Sequence, residues 1–508
     1  MTAPISFQPV SRALHRAVDY ALDTRRDDGA WESTADPRIF DTSIVTFALA
    51  RCRPWGIDGT VTRARRWLAG APAQGHSPAV AVTEAWLRDL ALDAALPGSP
   101  PAAAFGDEYP ARRLLVQILA VAAGTPGVAP EVLREAVAGA TETSAGCDVK
   151  QWQRVVLAAG SLIADAERRL PPNPTLVEAL VGEQWSDGSF CMMPAITAVG
   201  FLALSLADAG PTARQRALTY LSSTQFPDGT WRFVPNEVWD TALMVRSLCG
   251  LSLFDSRALE PAIGFLARSQ GIDGGWGIRR GIEADNDTTA MALMALAGTR
   301  QGKGAWPAAE SYINRQRSPQ GMWSTWQSRD DRPSQDVTAH LVSALRAHGA
   351  AQSGTARAKR WLLAQHDGGG WKADWYTPRS YAVAEIGDAV GWSAPASRAA
   401  LGQLLTEQLP DGGWLALPGE STSSPVATAL AVSALVAAEP LGAPRALGRA
   451  LEVILSTQNS LGTWPGTPFM YGPRPFLNHF QAHTHAFVTA ALRDVLLRRE
   501  AATPGERG

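Results

Sequence analysis

A short motif that recurs along most of the chain limits what the chain can fold into. It reads Gln-x(3–5)-Gly-x-Trp, as in QFPDGTW at 225–231 and QLPDGGW at 408–414. Successive copies begin 41 to 50 residues apart, which is the period of a repeat architecture. The motif glutamines are Gln225, Gln270, Gln316, Gln365, Gln408 and Gln458, together with Gln184, whose copy is a variant that ends in Phe190 instead of Trp.

Each copy of the motif lies between two helical patterns, so one repeat is a helix pair. Asp and Gly in the motif predict a tight turn, because glycine accepts positive φ and aspartate bonds to nearby backbone amides. We expect the repeated Gln and Trp to be structural clamps that bury a shared core. Little of the chain alternates with period two. The predicted fold class is therefore all-α, with helix pairs closing into double-layered α/α barrels.

Composition excludes several partner classes. The chain has 508 residues, with 46 basic and 48 acidic side chains, and this balance gives no reason to expect a nucleic acid partner. No stretch of roughly 18 apolar residues predicts a transmembrane segment. The cysteines are widely spaced and form no CxxC pair, so a reduced, cytoplasmic protein without a disulfide frame is expected. They are Cys52, Cys147, Cys191 and Cys249.

The repeats resemble the QW motifs of the squalene-hopene and class II diterpene cyclase superfamily, over roughly residues 10 to 490. The resemblance implies two α/α-barrel domains, called β and γ, with the γ barrel inserted into the β barrel. Residues 1–25 plus 255–508 would then form the β domain and carry the acid motif. Residues 26–254 would form the inserted γ domain.

A candidate acid stands in the stretch ADNDTTAMALMAL at 284–296. The stretch resembles the Asp-x-Asp-Thr-Thr variant of bacterial class II cyclases that act on prenyl diphosphates, and Asp287 matches the middle, protonating acid. Protonating an alkene needs a carboxyl that stays neutral, which desolvation or a neighbouring charge such as Asp285 can provide. The alternative is that both aspartates only cap a helix.

A second stretch, SQDVTAHL at 334–341, supports the acid. It resembles the Asp-Val-Thr-Ala-His of hopene cyclases, whose histidine hydrogen-bonds the catalytic acid. Asp336 and His340 are four residues apart and lie on one helix face. We expect His340 to donate to Asp287, with Asp336 holding the imidazole ring.

Aromatic residues are candidates for walls around a cationic intermediate, because their faces attract positive charge without offering a nucleophile. In EVWDTALM at 237–244, Asp240 is expected to cap its helix and Trp239 to face the substrate. Further candidates for substrate contact are Trp323, Trp326, Trp375, Tyr376, Tyr381 and Thr288.

The resemblance also implies a place for a diphosphate group, which class II cyclases leave on the product. Arginine suits paired phosphate oxygens because its guanidinium presents two parallel donors. Mg2+ is the expected cofactor and could bridge the diphosphate to Asp148 or Glu108. The basic candidates are Lys150, Arg279, Arg280 and Arg474.

The resemblance implies a class II cyclase that converts a linear prenyl diphosphate, with farnesyl diphosphate favoured, into a bicyclic drimenyl-type diphosphate. Geranylgeranyl diphosphate, giving a labdane- or halimane-type product, is the alternative substrate. A non-catalytic toroid that binds a lipid or peptide is an alternative of another class. Asp330-Asp331 lacks the third acid of a class I Asp-Asp-x-x-Asp cluster, which disfavours direct diphosphate loss. The oligomeric state stays open between a monomer and a homodimer.

Overall fold

The fold is built almost entirely from helices, as the sequence predicts. The computed structural model describes residues 7–92, 100–106, 108–144, 149–326, 332–350, 354–438 and 443–502. Within these ranges, no helix is both long and apolar enough to cross a membrane. Two short 3-10 helices, Pro101–Phe105 and Ser256–Leu259, and two two-residue strands, β1 (Met470–Tyr471) and β2 (Leu477–Asn478), accompany the α-helices.

The α-helices of the described residues are, in chain order, α1 (Phe7–Asp23), α2 (Ile39–Cys52), α3 (Asp58–Gly70), α4 (Pro78–Leu92), α5 (Pro110–Ala123), α6 (Pro130–Thr143), α7 (Gln151–Glu167), α8 (Pro174–Gly182), α9 (Pro194–Leu206), α10 (Pro211–Ser223), α11 (Glu237–Leu248), α12 (Glu260–Arg268), α13 (Asn286–Leu296), α14 (Arg300–Gln316), α15 (Gln335–Ala347), α16 (Ala356–Ala364), α17 (Arg379–Val390), α18 (Pro395–Thr406), α19 (Pro425–Ala438), α20 (Pro444–Thr457) and α21 (Gln481–Ala502).

The chain divides into two compact units. The first unit comprises Met1–Ser33, Pro235–Tyr471 and Asn478–Gly508, and the second comprises Thr34–Val234 and Gly472–Leu477. In the first unit, α11, α13, α15, α17, α19 and α21 pack side by side, and α21 returns to α11, so six inner helices close a ring. Helices α1, α12, α14, α16, α18 and α20 pack outside this ring. The first unit is therefore an α/α barrel.

The second unit repeats the arrangement on a smaller scale. Helices α2, α4, α5, α7 and α9 form its inner ring, with Pro101–Phe105 between α4 and α5, and α9 packs back on α2. Helices α3, α6, α8 and α10 lie outside that ring. The all-α prediction with α/α barrels is confirmed.

Inner and outer helices differ in sequence because they bury different surfaces. The inner helix α19 reads PVATALAVSALVAA and is apolar around its circumference, as expected for a helix covered on all sides. The outer helix α1 is amphipathic and buries only one stripe, which includes Val10, Leu14 and Val18. This difference sorts the helices into the two layers of each barrel.

The motif glutamine and tryptophan are clamps, as predicted. The indole Nε1 of Trp276 donates to the carbonyl of Leu266 at 2.7 Å, at the end of the preceding outer helix. The Gln270 amide donates to the carbonyls of Gly274 and Ala305, at 2.9 and 3.0 Å. Gly274 has φ of 93°, and a Cβ there would collide with the carbonyl of Ala308. The turn is therefore fixed to the outer helices on both sides.

The boundaries between the units differ from those expected. Residues 26–33 and 235–254 belong to the first unit, and residues 472–477, although late in the chain, belong to the second. The physical reason is that α11 is a member of the first inner ring, between α13 and α21. The backbone N–H of Trp31 also donates to Thr241 Oγ1 of α11 at 2.9 Å, which ties residues 26–33 to that ring.

Candidate active site

The two aspartates at the start of α13 do different jobs. Asp285 is the helix cap, because its Oδ1 accepts the backbone N–H of Thr288 at 2.7 Å and its Oδ2 accepts the Thr288 hydroxyl at 2.8 Å. Asp287, one position inside the helix and only 4% exposed, instead lies with its Oδ1 2.6 Å from Nδ1 of His340. Capping therefore accounts for Asp285 and leaves Asp287 available for chemistry. The expected substrate contact of Thr288 is wrong, because its hydroxyl is used on Asp285.

The second ring nitrogen of His340 also has partners. Its Nε2 lies 3.2 Å from the Tyr381 hydroxyl and 3.5 Å from Oε2 of Glu385. Burial of the ring opposes protonation, but the negative charges of Asp287, Glu385 and Asp336 outweigh it and raise the pKa of His340. These negative charges shift the ring towards its protonated form.

Asp336 does not hold the ring, and that prediction is wrong. Its Oδ1 accepts the hydroxyl of Ser334 at 2.6 Å, and its Oδ2 accepts the backbone N–H groups of Asp374 and Trp375 at 3.0 and 3.3 Å. Asp336 is fully buried, and this burial, with the nearby charges of Asp374 and Asp287, raises the pKa of its carboxyl to about 6. Its carboxylate therefore organises the loop before α17 and is not the partner of His340.

One oxygen of Asp287 is left for chemistry. Within the part of the chain that the structure describes, Oδ1 meets His340 and Oδ2 has no hydrogen-bond partner. A carboxylic acid bound in this way can carry its proton on Oδ2, while a positive ring beside Oδ1 stabilises the carboxylate that remains after proton transfer. The geometry is that of a supported proton donor.

Aromatic side chains gather beside this pair. The ring centroids of Tyr376 and Tyr381 are 4.4 Å apart, and both rings lie edge-on to Phe487, at 5.6 and 5.8 Å. The Trp239 indole N–H donates to the Tyr376 hydroxyl at 2.8 Å, and Phe469 is 5.6 Å from the Tyr376 ring. This aromatic cluster brings together three of the predicted wall residues and adds Phe469 and Phe487.

The other predicted wall residues lie in two different settings. Trp326 and Trp375 meet edge to face at 5.4 Å, and the Trp375 indole N–H donates to Thr325 Oγ1 at 2.8 Å. Trp323 is fully buried as a clamp, because its indole N–H donates to the carbonyl of Ile313 at 3.0 Å. Its prediction as a wall residue is therefore wrong.

Asp240 is not the cap of α11 that the sequence predicted. Its Oδ1 lies 2.9 Å from Nε2 of His483, and its Oδ2 accepts the backbone N–H and hydroxyl of Ser33 at 2.7 and 2.8 Å. The other ring nitrogen of His483 lies 3.1 Å from the Tyr376 hydroxyl. The first unit therefore contains a second buried Asp–His pair, which the sequence did not predict.

Two predicted diphosphate ligands are engaged in ion pairs. Arg279 lies 2.9 Å from Glu32 and 3.8 Å from Glu237, and Arg280 lies 3.3 Å from Asp28 and 3.4 Å from Glu237. Their charge is therefore largely compensated within the first unit.

The remaining basic candidates, Lys150 and Arg474, belong to the second unit. Lys150 is buried at the start of α7, where its backbone N–H donates to Gln153 Oε1 at 2.9 Å. Burial and the positive charges of Arg38 and Arg474 lower the pKa of Arg112 to about 10. Arg38 is itself paired with Asp41, and both side chains are buried.

A magnesium site is not formed by the described side chains. Glu108 is exposed and accepts the hydroxyl of its neighbour Tyr109 at 2.9 Å, and Asp148 lies outside the described residues. Among the side chains that are described, no group of three or more His, Cys, Asp or Glu residues could hold a metal ion. Glu108 alone does not fit Mg2+, which takes several oxygen ligands.

Glu385 and His483 are functional candidates that the sequence analysis missed. Glu385 follows Tyr381 by four residues and so shares its helix face, which is a usable signal once Tyr381 is a candidate. His483, in the stretch QAHTHAF, meets Asp240 across 243 positions of sequence. No local pattern encodes that contact, which depends on the closure of the ring by α21.

Comparison with known proteins places this site in a family context. Residues 279–496 match the family described as squalene-hopene cyclase C-terminal domain. Two relatives are named drimenyl diphosphate synthase. The one from Streptantibioticus cattleyicolor is 28% identical over 58% of this chain, and the one from Streptomyces showdoensis is 28% identical over 54%. The matches span only 59% and 54% of those relatives' own length.

A solved structure shares the fold over nearly the whole chain. The ent-copalyl diphosphate synthase from Streptomyces platensis is 18% identical, with a TM-score of 0.59, and the match covers 96% of this chain and 99% of that one. At this identity the likeness concerns the fold alone. The family match covers α13 to α20 and most of α21, which includes the helices of Asp287 and His340. The chain is thus similar to the squalene-hopene cyclase C-terminal domain over residues 279–496, and to relatives named drimenyl diphosphate synthase over a little more than half of its length.

Proposed function

We propose that the protein is a class II terpene cyclase that converts linear farnesyl diphosphate into a bicyclic drimenyl-type diphosphate and leaves the diphosphate group in place. The observation that carries the proposal is the buried Asp287–His340 pair, in which Oδ2 of Asp287 has no hydrogen-bond partner among the described residues. The names of the two relatives at 28% identity support the C15 substrate over its C20 alternative.

The proposed reaction is an isomerisation, because the substrate gains one proton at the start and loses one proton at the end. The proton on Oδ2 of Asp287 adds to the terminal alkene, whose π electrons form the new C–H bond and leave a tertiary cation. The next two alkenes attack in turn, and loss of a proton from carbon restores a double bond. His340 stabilises the carboxylate left on Asp287, and the aromatic cluster with Tyr376 and Tyr381 stabilises the cation without capturing it.

Lys150, Arg279, Arg280 and Arg474 are the proposed ligands of the diphosphate, because guanidinium and ammonium groups stabilise phosphate oxygens. Arg279 and Arg280 would exchange a carboxylate partner for the diphosphate. Mg2+ would accompany the diphosphate as its counterion. A cytoplasmic location fits the free cysteines Cys52, Cys191 and Cys249.

The decisive experiment is to incubate the purified protein and Mg2+ with farnesyl or geranylgeranyl diphosphate, and to identify the dephosphorylated products by gas chromatography and mass spectrometry. A bicyclic C15 alcohol is expected. A bicyclic C20 alcohol alone would identify geranylgeranyl diphosphate as the substrate in place of farnesyl diphosphate. Recovery of only farnesol and geranylgeraniol would exclude the proposed cyclase function.

Asp287→Asn tests the acid within this assay. The variant keeps the size of the side chain but has no acidic proton, so the rate is expected to fall at least about 100-fold. Asp411→Asn is the matched control, because Asp411 only accepts the backbone N–H of Gly413 at 2.9 Å and an amide oxygen can replace it. Full activity in Asp287→Asn would exclude Asp287 as the proton donor.

A further inference from the structure

The second Asp–His pair of the first unit is fully buried, and the proposed protonation does not use it. His483 of α21 and Asp240 of α11 have completely buried side chains and face each other at 2.9 Å. Tyr376 continues the chain, with its hydroxyl 3.1 Å from Nδ1 of His483. Burying several titratable side chains lowers the stability of the fold unless each one is hydrogen-bonded. Here Asp240, His483 and Tyr376 each have a hydrogen-bond partner.

The chemistry of the partners sets the direction of the hydrogen bonds. The Asp240 carboxylate accepts from Ser33 on one oxygen and can only accept on the other, so Nε2 of His483 carries the hydrogen and donates. Nδ1 of the neutral ring is then an acceptor, and the Tyr376 hydroxyl donates to it. The indole N–H of Trp239 donates to the Tyr376 oxygen at 2.8 Å. The Tyr376 hydroxyl thus donates to a base, Nδ1 of His483, and accepts a hydrogen bond from the Trp239 indole N–H.

The hydrogen-bonded series of Asp240, His483 and Tyr376 lies close to the proposed acid, Asp287. The Tyr376 ring packs on Tyr381 with centroids 4.4 Å apart, and the Tyr381 hydroxyl lies 3.2 Å from His340, the partner of Asp287. The two Asp–His pairs therefore meet through two packed tyrosines. A cation formed by Asp287 would lie beside the aromatic cluster and near the Tyr376 oxygen.

We propose that Tyr376 is the base that ends the cyclisation, with His483 and Asp240 as positioning residues; the inference rests on the proposed cyclase function. The C–H bond next to the cationic carbon breaks, and its electrons form the alkene. The proton goes to the Tyr376 oxygen, whose own proton moves to Nδ1 of His483. The resulting imidazolium is stabilised by Asp240, as in a triad where a carboxylate orients a histidine. His483 gains the proton that Asp287 lost, and both groups exchange with solvent before the next turnover.

The surroundings suit a neutral relay. Burial, and after it the negative charges of Asp287, Asp240 and Glu385, raise the pKa of Tyr376 well above its ordinary value. The hydroxyl therefore stays protonated in the resting enzyme, so no phenolate is present to capture the cation. It becomes a base only by passing its proton to His483 as it receives another.

Tyr376→Phe is the first test, with products separated by gas chromatography and mass spectrometry. Loss of the hydroxyl leaves the cation to be trapped by water or to lose a proton elsewhere. The ratio of hydroxylated or isomeric bicyclic products to the normal alkene is expected to rise at least tenfold. Tyr312→Phe removes another buried tyrosine hydroxyl, on the outer helix α14, and is expected to keep the normal ratio.

Asp240→Asn tests the same idea without removing the hydroxyl. The amide oxygen can still accept from Ser33, and its NH2 group would then face Nε2 of His483 and force the hydrogen onto Nδ1. Nδ1 could no longer accept from Tyr376, so the same shift in products is expected.

The outcomes separate the inference from the function on which it rests. No cyclised product from the unmodified protein would reject the cyclase itself. A normal product ratio and rate in the folded Tyr376→Phe and Asp240→Asn variants would overturn the role of Tyr376. If thermal melting shows that one variant does not fold, the product ratio of the other decides.

Discussion

At the residue scale, Asp287 differs from the nearby aspartates in its hydrogen-bond partners, although all of them occupy similar positions in the sequence. Asp285, Asp287 and Asp336 all stand at the starts of inner helices. Of the three, Asp287 has a histidine on one oxygen and, within the described part of the chain, no hydrogen-bond partner on the other. The other two carboxylates have both oxygens occupied by neighbouring donors, which satisfies buried polar groups and fixes local backbone. Hydrogen-bond partners, rather than residue type, therefore distinguish Asp287 as the candidate acid.

Glu385→Gln is expected to shift the pH dependence of cyclisation. Glu385 lies 3.5 Å from Nε2 of His340, and its charge helps to raise the pKa of that ring. If the imidazolium supports Asp287, activity is lost as pH rises through the pKa of His340. Removing one negative charge moves this alkaline limb towards lower pH.

The measurement is a profile of kcat against pH for the unmodified protein, Glu385→Gln and a control. Asp388→Asn is the control, because Asp388 lies on the same helix, α17, but is exposed and paired with Arg346. An alkaline limb that moves equally in both variants, or in neither, would mean that His340 does not set it.

At the element scale, the clamp motif fixes each turn to the helices around it. Gln408→Met removes an amide that donates to the carbonyls of Gly412 and Ala446, each at 2.8 Å, and leaves both carbonyls without that donor. The free energy of unfolding is expected to fall by about 1 to 3 kcal/mol, measured by urea denaturation. Gln403→Met, on the preceding outer helix, loses only a hydrogen bond to Glu407. It should lower the free energy of unfolding by about 0.2 to 0.5 kcal/mol. Equal losses in the two variants would argue against the clamp.

How much the sequence predicts depends on how local the contact is. The turn of QLPDGGW and the clamp of Trp414 on Leu404, ten residues earlier, follow from short-range chemistry, and the helix pairs were predicted correctly. The contact of Asp287 with His340 was predicted from its resemblance to a family motif. The sequence does not predict that Asp336 accepts the backbone N–H groups of residues 374–375, because that loop could have bonded to the start of any of several helices.

The unit boundaries show the same limit on a larger scale. The ring position of α11 depends on its contacts with α13 and α21, and α21 lies more than 200 residues later in the chain. Residues 472–477 belong to the second unit by contacts that no local pattern announces. Gln74, for example, donates to the Leu477 carbonyl at 2.7 Å and accepts its N–H at 3.0 Å. Long-range pairing of this kind is decided by tertiary packing alone.

At the scale of the whole molecule, the candidate site needs a closed ring. Asp287 comes from α13, His340 from α15, Tyr381 from α17, His483 from α21 and Asp240 from α11, so five of the six inner helices contribute. A barrel offers this arrangement because each inner helix presents its first turn at the same end. The stability of the first barrel and the integrity of the site are therefore linked.

The stability of the second unit should depend on pH through Glu84. This α4 residue is fully buried, its Oε2 accepts the Gln74 N–H at 2.6 Å, and its Oε1 has no partner among the described residues. Burial raises its pKa from 4.5 to about 7, although the Gln74 N–H, Arg38 and Arg88 oppose the rise. A raised carboxyl pKa gives a stabilising contribution that is complete below pH 4.5 and is lost as pH rises through about 7.

Glu84→Gln should remove this dependence, because the amide matches the neutral carboxyl in size and does not ionise. The shift from 4.5 to about 7 corresponds to about 3 kcal/mol at most. The variant is therefore expected to gain stability relative to the unmodified protein between pH 5 and pH 8, by up to that amount, in urea denaturation followed by tryptophan fluorescence. Glu131→Gln, at an exposed site paired with Arg168, should show no such gain. A difference that stays constant between the two pH values would mean that Glu84 does not ionise within the folded second unit over this range.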